Sequence, residues 1–141
     1  MREGYDDIVP DDTALKEKGI KYFSPDGFTG TESYHRVTLT SRLLATDGAV
    51  YVFKELKCFW LSDTIASYLE RLERFSKEFD EWFFVVKFHL SGNKSGIVEI
   101  EDGNCNSILK QKIPFTDLTK NLKFYLTNEG DKFICLLPSE Y

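Results

Sequence analysis

The sequence predicts an α+β domain, with N-terminal helices packed on one face of a roughly five-stranded antiparallel meander sheet. Three observations carry this expectation. Apolar residues recur at helical spacing between Asp47 and Lys77. From Trp82 onward the period drops to two. The strand-like runs are separated by short turn words, Ser91–Gly96, Asp102-Gly103-Asn104 and Asn128-Glu129-Gly130-Asp131, which favour antiparallel neighbours. Helices first and strands after give a two-layer arrangement.

In chain order, residues 1–24 read as an acidic, flexible extension and residues 25–141 as a single domain. Thr13 to Phe23 suits a short helix capped by Thr13, and Ser24-Pro25-Asp26-Gly27 a turn. Val37 to Ala45 fits a strand or a helix equally well. Thr46 is an expected N-cap, with Asp47 near the positive end of a short helix to Lys57. A longer helix is expected from about Trp60 to Lys77, its core stripe made of Leu61, Ile65, Tyr68, Leu69, Leu72 and Phe75. Glu70–Arg74 and Glu73–Lys77 have the favourable i,i+4 order of a solvent-facing side. The run Trp82–Leu90 is apolar on both faces for half its length, as in a central strand. Further strands are expected at Ile97–Glu101, Ser107–Ile113 (stopped by Pro114), Leu122–Leu126 and Lys132–Leu137.

Composition narrows the functional classes. A chain of 141 residues buries roughly 70% of its unfolded surface, so no disulfide or metal is needed for folding. Twelve Phe and seven Tyr imply a core of large rings with some left over for a surface groove. The net charge is −5, of which residues 1–12 hold −4 (Glu3, Asp6, Asp7, Asp11 and Asp12 against Arg2), leaving −1 for the rest. A nearly neutral body argues against duplex-DNA binding. The acidic tail reads as a solvated extension, or as an arm that contacts a basic partner or mimics nucleic acid. Cys58, Cys105 and Cys135 form no CxxC pair and read as reduced and mostly buried. No signal peptide or membrane span is legible, and a cytoplasmic protein is expected.

Familiar catalytic words, GxGxxG, the P-loop, HExxH, GxSxG and CxxC, are absent. Two groups of residues stand out. Tyr34, His35 and Arg36, taken with Asp63, would supply a histidine–carboxylate pair and an anion-binding guanidinium. Trp60, Asp63, Ser67 and Arg71 share one helical flank, where an indole could stack on a planar ligand and the charges fix polar groups. Each has a plainer reading: His35 as a partly exposed histidine, Asp63 as a first-turn carboxylate beside the helix dipole, Arg71 as a solvated charge. The C-terminal Pro138-Ser139-Glu140-Tyr141 follows an apolar strand and is expected to fold back, with Tyr141 packed and Glu140 near His35, Arg36 or Arg71. A metal site from Cys58, His35 and Asp63 lacks ligand spacing. An RNA-binding sheet on Phe83, Tyr125 and Phe133 lacks a basic rim. No cofactor is expected.

Several words also carry a resemblance. Phe28-Thr29-Gly30-Thr31-Glu32-Ser33-Tyr34-His35-Arg36, Thr46-Asp47-Gly48, Phe59 to Tyr68 (FWLSDTIASY), Ile113-Pro114-Phe115-Thr116-Asp117 and the terminal Leu137-Pro138-Ser139-Glu140-Tyr141 resemble, in order, the signatures of a group of small bacterial proteins of unknown function that also occur on mobile elements. The resemblance spans residues 28–141 and implies no activity. Ser62, where that group is expected to have an apolar residue, departs from it. The leading expectation is a non-enzymatic binding module for a protein or small ligand, with the mobile-element company implying a defence or counter-defence role. The alternatives are a small nucleotide hydrolase or phosphodiesterase using His35 with Arg36 or Arg71, and an assembly protein dimerising through an edge strand such as the one ending at Leu137.

Overall fold

The computed structural model describes residues 34–38 and 42–141. Among these described residues there are three α-helices and seven strands: β1 (Tyr34–Arg36), β2 (Leu43–Thr46), α1 (Asp47–Glu55), α2 (Phe59–Ser67), α3 (Leu69–Phe79), β3 (Phe83–Leu90), β4 (Gly96–Asp102), β5 (Ser107–Ile113), β6 (Leu122–Asn128) and β7 (Phe133–Leu136), followed by a 3₁₀ turn, Pro138–Glu140. The fold is α+β, and the strand order is β1-β2-β7-β6-β3-β4-β5. The expected helix at Thr13–Phe23 and turn at Ser24–Gly27 lie outside the described residues.

Four expectations about the sheet need correction. It has seven strands rather than five, and it is mixed, because β2 pairs with β7 in parallel through Leu43↔Phe133, Leu44↔Ile134 and Ala45↔Cys135. Of the extra strands, β2 falls at the end of the ambiguous stretch Val37–Ala45, and β1 lies just before that stretch, where no strand is expected. A parallel strand covered on both faces reads as a continuous apolar run, so Leu43-Leu44-Ala45 shows no alternation. A further correction concerns β7, which lies between β2 and β6. It therefore offers no free edge for dimerisation, and the strands at the ends of the order are β1 and β5. Nor is the sheet a simple meander: residues 114–121 carry the chain from β5 to β6, which lies beside β3. The Asn121 side chain anchors this connection by accepting a 2.9 Å hydrogen bond from the Leu90 amide.

The described residues fall into two compact units. The first comprises residues 34–38, 42–84 and 124–141. Its core joins the helices to the strands through Phe53 stacked on Phe124 at 5.0 Å and Phe75 edge-on to Phe84 at 6.1 Å. Leu61, Ile65, Leu69 and Leu72 of the expected helical stripe are all buried. The single long helix expected from Trp60 to Lys77 is broken at Tyr68. The Ser67 hydroxyl donates to the Thr64 carbonyl at 2.6 Å, and the Tyr68 amide turns instead to Ile65 at 3.0 Å. Hydroxyls that bond back into their own helix bend it in this way. Ser62, buried where an apolar residue was expected, satisfies its hydroxyl on the Phe59 carbonyl at 2.6 Å.

The second unit comprises residues 85–123. β3 leads to β4 through a tight turn in which Gly92, Asn93 and Lys94 all take positive φ. β4 pairs with β5 antiparallel, with a register shift between Ile100 and Glu101. Close packing here excludes side chains at Gly96, where a Cβ would stand 2.5 Å from the Phe88 ring.

Candidate functional site

His35 does meet a carboxylate, but a different one from the sequence expectation. Its Nε2 lies 2.7 Å from Oδ1 of Asp47, the first residue of α1. The β1–β2 register sets this up, pairing Tyr34 with Thr46 and His35 with Ala45 directly before the helix begins. Both side chains of the pair are substantially exposed, at 44% and 35%. Arg36 Nε donates to the Thr38 carbonyl at 3.1 Å, and Tyr34 is exposed. Asp63 stands on α2, exposed to solvent.

Of the aromatic–polar flank, Trp60, Asp63 and Ser67 lie on α2 at helical spacing; Asp63 and Ser67 are exposed and Trp60 is half-buried. Arg71 is exposed on α3, beyond the break at Tyr68. Two more rings are exposed in the same helical layer, Tyr51 of α1 at 39% and Phe59 of α2 at 42%.

The chain terminus folds back as expected, but toward another target. Glu140 is buried, and its carboxylate accepts from the Thr46 hydroxyl (2.5 Å), the Gly48 amide (3.0 Å) and the Leu137 amide (2.9 Å). Thr46 in turn accepts from the Ala49 amide at 3.3 Å, completing the expected N-cap. Tyr141 packs with Phe83 at 5.2 Å and Tyr125 at 5.5 Å while staying largely exposed. Phe133, the third ring of the considered RNA platform, is fully buried against Phe84 rather than beside Phe83 and Tyr125.

A further group escaped the sequence reading. Lys87 and His89 of β3 meet Glu101 and Glu99 of β4, with Lys87 Nζ 3.2 Å from Glu101 Oε1 and His89 Nε2 3.3 Å from Glu99 Oε1. All four side chains are buried. Its sequence signal is Lys-x-His on one arm of a hairpin and Glu-x-Glu on the other, a complementary pattern at period two. Apolar alternation on the opposite face obscured it.

Cys58 and Cys135 are buried, and Cys105 is exposed in the β4–β5 turn. Burial pushes the Cys58 thiol up to about 12. Burial also raises Cys135, and the nearby negative charge of Glu140 adds to the effect. Among the described residues no cluster of three His, Cys, Asp or Glu side chains is placed to hold a metal ion, and no helix is long and apolar enough to cross a membrane.

Residues 26–141 match a family of unknown function, DUF6876. The chain belongs to that family. The match takes in the histidine pair, the α2 flank, the buried quartet and the terminal seam. Among curated proteins none matches the chain. Among solved structures it is similar to the crystal structure of a protein of unknown function from Enterococcus faecalis, at 17% identity and a TM-score of 0.53, covering 77% of this chain and 98% of that one. That likeness concerns the fold alone.

Proposed function

We propose that this DUF6876 member is a non-enzymatic binding module that recognises a partner through the helical face around Trp60. The observation that carries the reading is that α1 and α2 hold the solvent-exposed aromatic residues Tyr51 and Phe59 together with half-buried Trp60 and exposed Asp63. Exposed rings interleaved with a carboxylate and hydroxyls form the kind of surface that supplies contact area and orientation together. Ser67 contributes shape rather than a strong contact, because its hydroxyl is already engaged with its own helix. Mild affinity purification from the native host, with mass spectrometry of co-purified proteins and small molecules, identifies the occupant. Folded Trp60→Ala and Asp63→Ala variants are expected to lose it, and undiminished capture by both would overturn the assignment.

A second reading has one specific observation in its favour, the 2.7 Å His35–Asp47 pair beside Arg36. A carboxylate that orients a histidine is the arrangement a general acid–base needs, and the guanidinium suits a phosphate. In a nucleotide hydrolase of this kind, His35→Ala would abolish turnover of a nucleotide or phosphodiester substrate. Turnover unchanged in that variant would exclude the mechanism.

A further inference from the structure

Both faces of the β3–β4 hairpin are buried. Val86, Phe88, Val98 and Ile100 stand on one face, and the Lys87–Glu101 and His89–Glu99 pairs stand on the other. Those four charged or titratable side chains are at most 3% exposed. Neighbouring strands lie beside a side chain in a sheet and not above it, so charged groups on a bare face keep contact with water. Exclusion of water to this degree needs a layer stacked on the face.

Among the described residues of 85–123 there is no helix to form that layer. The connection 114–121 runs at the end of the hairpin. It is tied there by the Thr116 amide to the Lys94 carbonyl at 2.7 Å and by Asn121 to the Leu90 amide at 2.9 Å. Lys87 and Glu101 lie farther along their strands, away from that end.

Charge selects the occupant. Lys110 and Lys112 of β5 stand opposite Glu99 and Ile97 in the register, on the face that carries the pairs. Residues 85–123 hold six lysines against four acids, a net of +2, whereas residues 1–12 carry −4. A second copy docked face to face would bring the same positive sign; the chain's own N-terminal segment brings the opposite one. Residues 13–23 add Leu15, Ile20, Tyr22 and Phe23, apolar side chains suited to Val85 and Ile97, the half-buried neighbours of the pairs. Between that segment and Tyr34 lie residues 24–33, whose extended length of about 35 Å covers several strand spacings.

We propose that the pair-bearing face of β3–β5 is the docking surface for this chain's own N-terminal segment, residues 1–23. The acids of 1–12 would lie toward Lys110 and Lys112, and the apolar residues of 13–23 over the buried pairs. The basic partner of the acidic arm is then its own sheet. This surface is independent of the α2 face and stands or falls separately from it.

The test attaches a nitroxide to Cys105, exposed in the turn that joins β4 to β5; Cys58 and Cys135 are buried and spared by the reagent. In a proton–nitrogen correlation spectrum of the full chain, the amide signals of residues 1–23 should be broadened by the label and recover when it is reduced. Two variants probe the two kinds of contact. Lys110→Gln with Lys112→Gln should cut the broadening of residues 1–12 several-fold, as should high salt, which screens the same attraction. Ile20→Asp should release residues 13–23 while the signals of 34–141 stay dispersed. If that variant is unfolded, the lysine variant still carries the test. The proposal fails if no signal from residues 1–23 is broadened, or if the lysine variant and Ile20→Asp both broaden as the parent does. It also fails if the broadening arises only between chains, seen when a nitrogen-15 chain without the label is mixed with a labelled chain at natural abundance; the occupant is then a second copy.

Discussion

Glu140 accepts a 2.5 Å hydrogen bond from Thr46, a residue 94 positions earlier in the chain. The same carboxylate takes the Gly48 and Leu137 amides. The helix α1 therefore has two caps: the local Thr46 hydroxyl and a remote carboxylate placed at its positive pole. The TDG and LPSEY words of the sequence form one structural joint.

Glu140→Ala removes the acceptor shared by three buried donors. Unsatisfied buried donors cost about 1–3 kcal/mol each and do not add fully, so a loss of about 3 kcal/mol is expected. Thermal unfolding should show a drop in Tm of about 10 °C. Glu140→Gln keeps one acceptor oxygen and should fall between the two. An unchanged melting temperature in both variants would mean that the joint does not stabilise the fold.

Gly48→Ala tests the same joint from the other side. On propensity alone, alanine inside a helix gains about 1 kcal/mol. Here the added Cβ would stand 2.7 Å from Glu140 Cδ and Leu137 Cδ1. Overpacking of this kind costs about 1–3 kcal/mol, so the variant should be less stable than the parent in urea unfolding. In a Glu140→Ala background the penalty should shrink, since part of the obstruction is gone, and the double-mutant cycle should show coupling of about 1 kcal/mol.

The legible parts of the molecule were those governed by neighbours in sequence. The Thr46 cap, the α2–α3 core stripe and the strands β3 to β6 follow from local spacing. The unread parts depend on residues far apart. β2 becomes a strand because it meets β7 in parallel, and Glu140 finds Thr46 only once the sheet has formed. His35 lay within reach of several carboxylates by composition, and the three-residue β1–β2 ladder decided in favour of Asp47. The Tyr68 break turned on a Ser67 hydroxyl that periodicity treats as merely polar. Lys87, His89, Glu99 and Glu101 look like a solvated strand face, because burial of charge becomes apparent only when both strands are seen together.

That buried quartet makes a directional prediction. Lys87→Met leaves the Glu101 carboxylate buried without its ammonium partner, which costs about 3–5 kcal/mol. Converting both partners, Lys87→Met with Glu101→Leu, removes the carboxylate along with the ammonium and should restore most of the stability. Denaturant midpoints of the single and double variants measure this. A double variant no more stable than Lys87→Met would show that the pair is not the relevant unit.

The cysteines give the pH dependence. At pH 8 a thiol reagent should titrate Cys105 alone in the native protein, and all three cysteines once it is unfolded. Burial raises Cys58 from 9.0 to about 12, and Cys135 moves the same way. A folded-state pKa above the unfolded value means that the native state holds its proton while the unfolded chain releases it. The resulting stability is fully present below about pH 9 and is lost as pH rises toward 12. Within that window each such thiol steepens the decline by about 1.4 kcal/mol per pH unit. Tyrosines and lysines also titrate there, so the decisive quantity is the difference in slope between the parent and Cys58→Ala. The alanine variant should lose stability more gradually above pH 9, whatever its absolute stability at pH 7. Parallel curves for the two proteins would show that Cys58 ionises as readily in the folded chain as in the unfolded one.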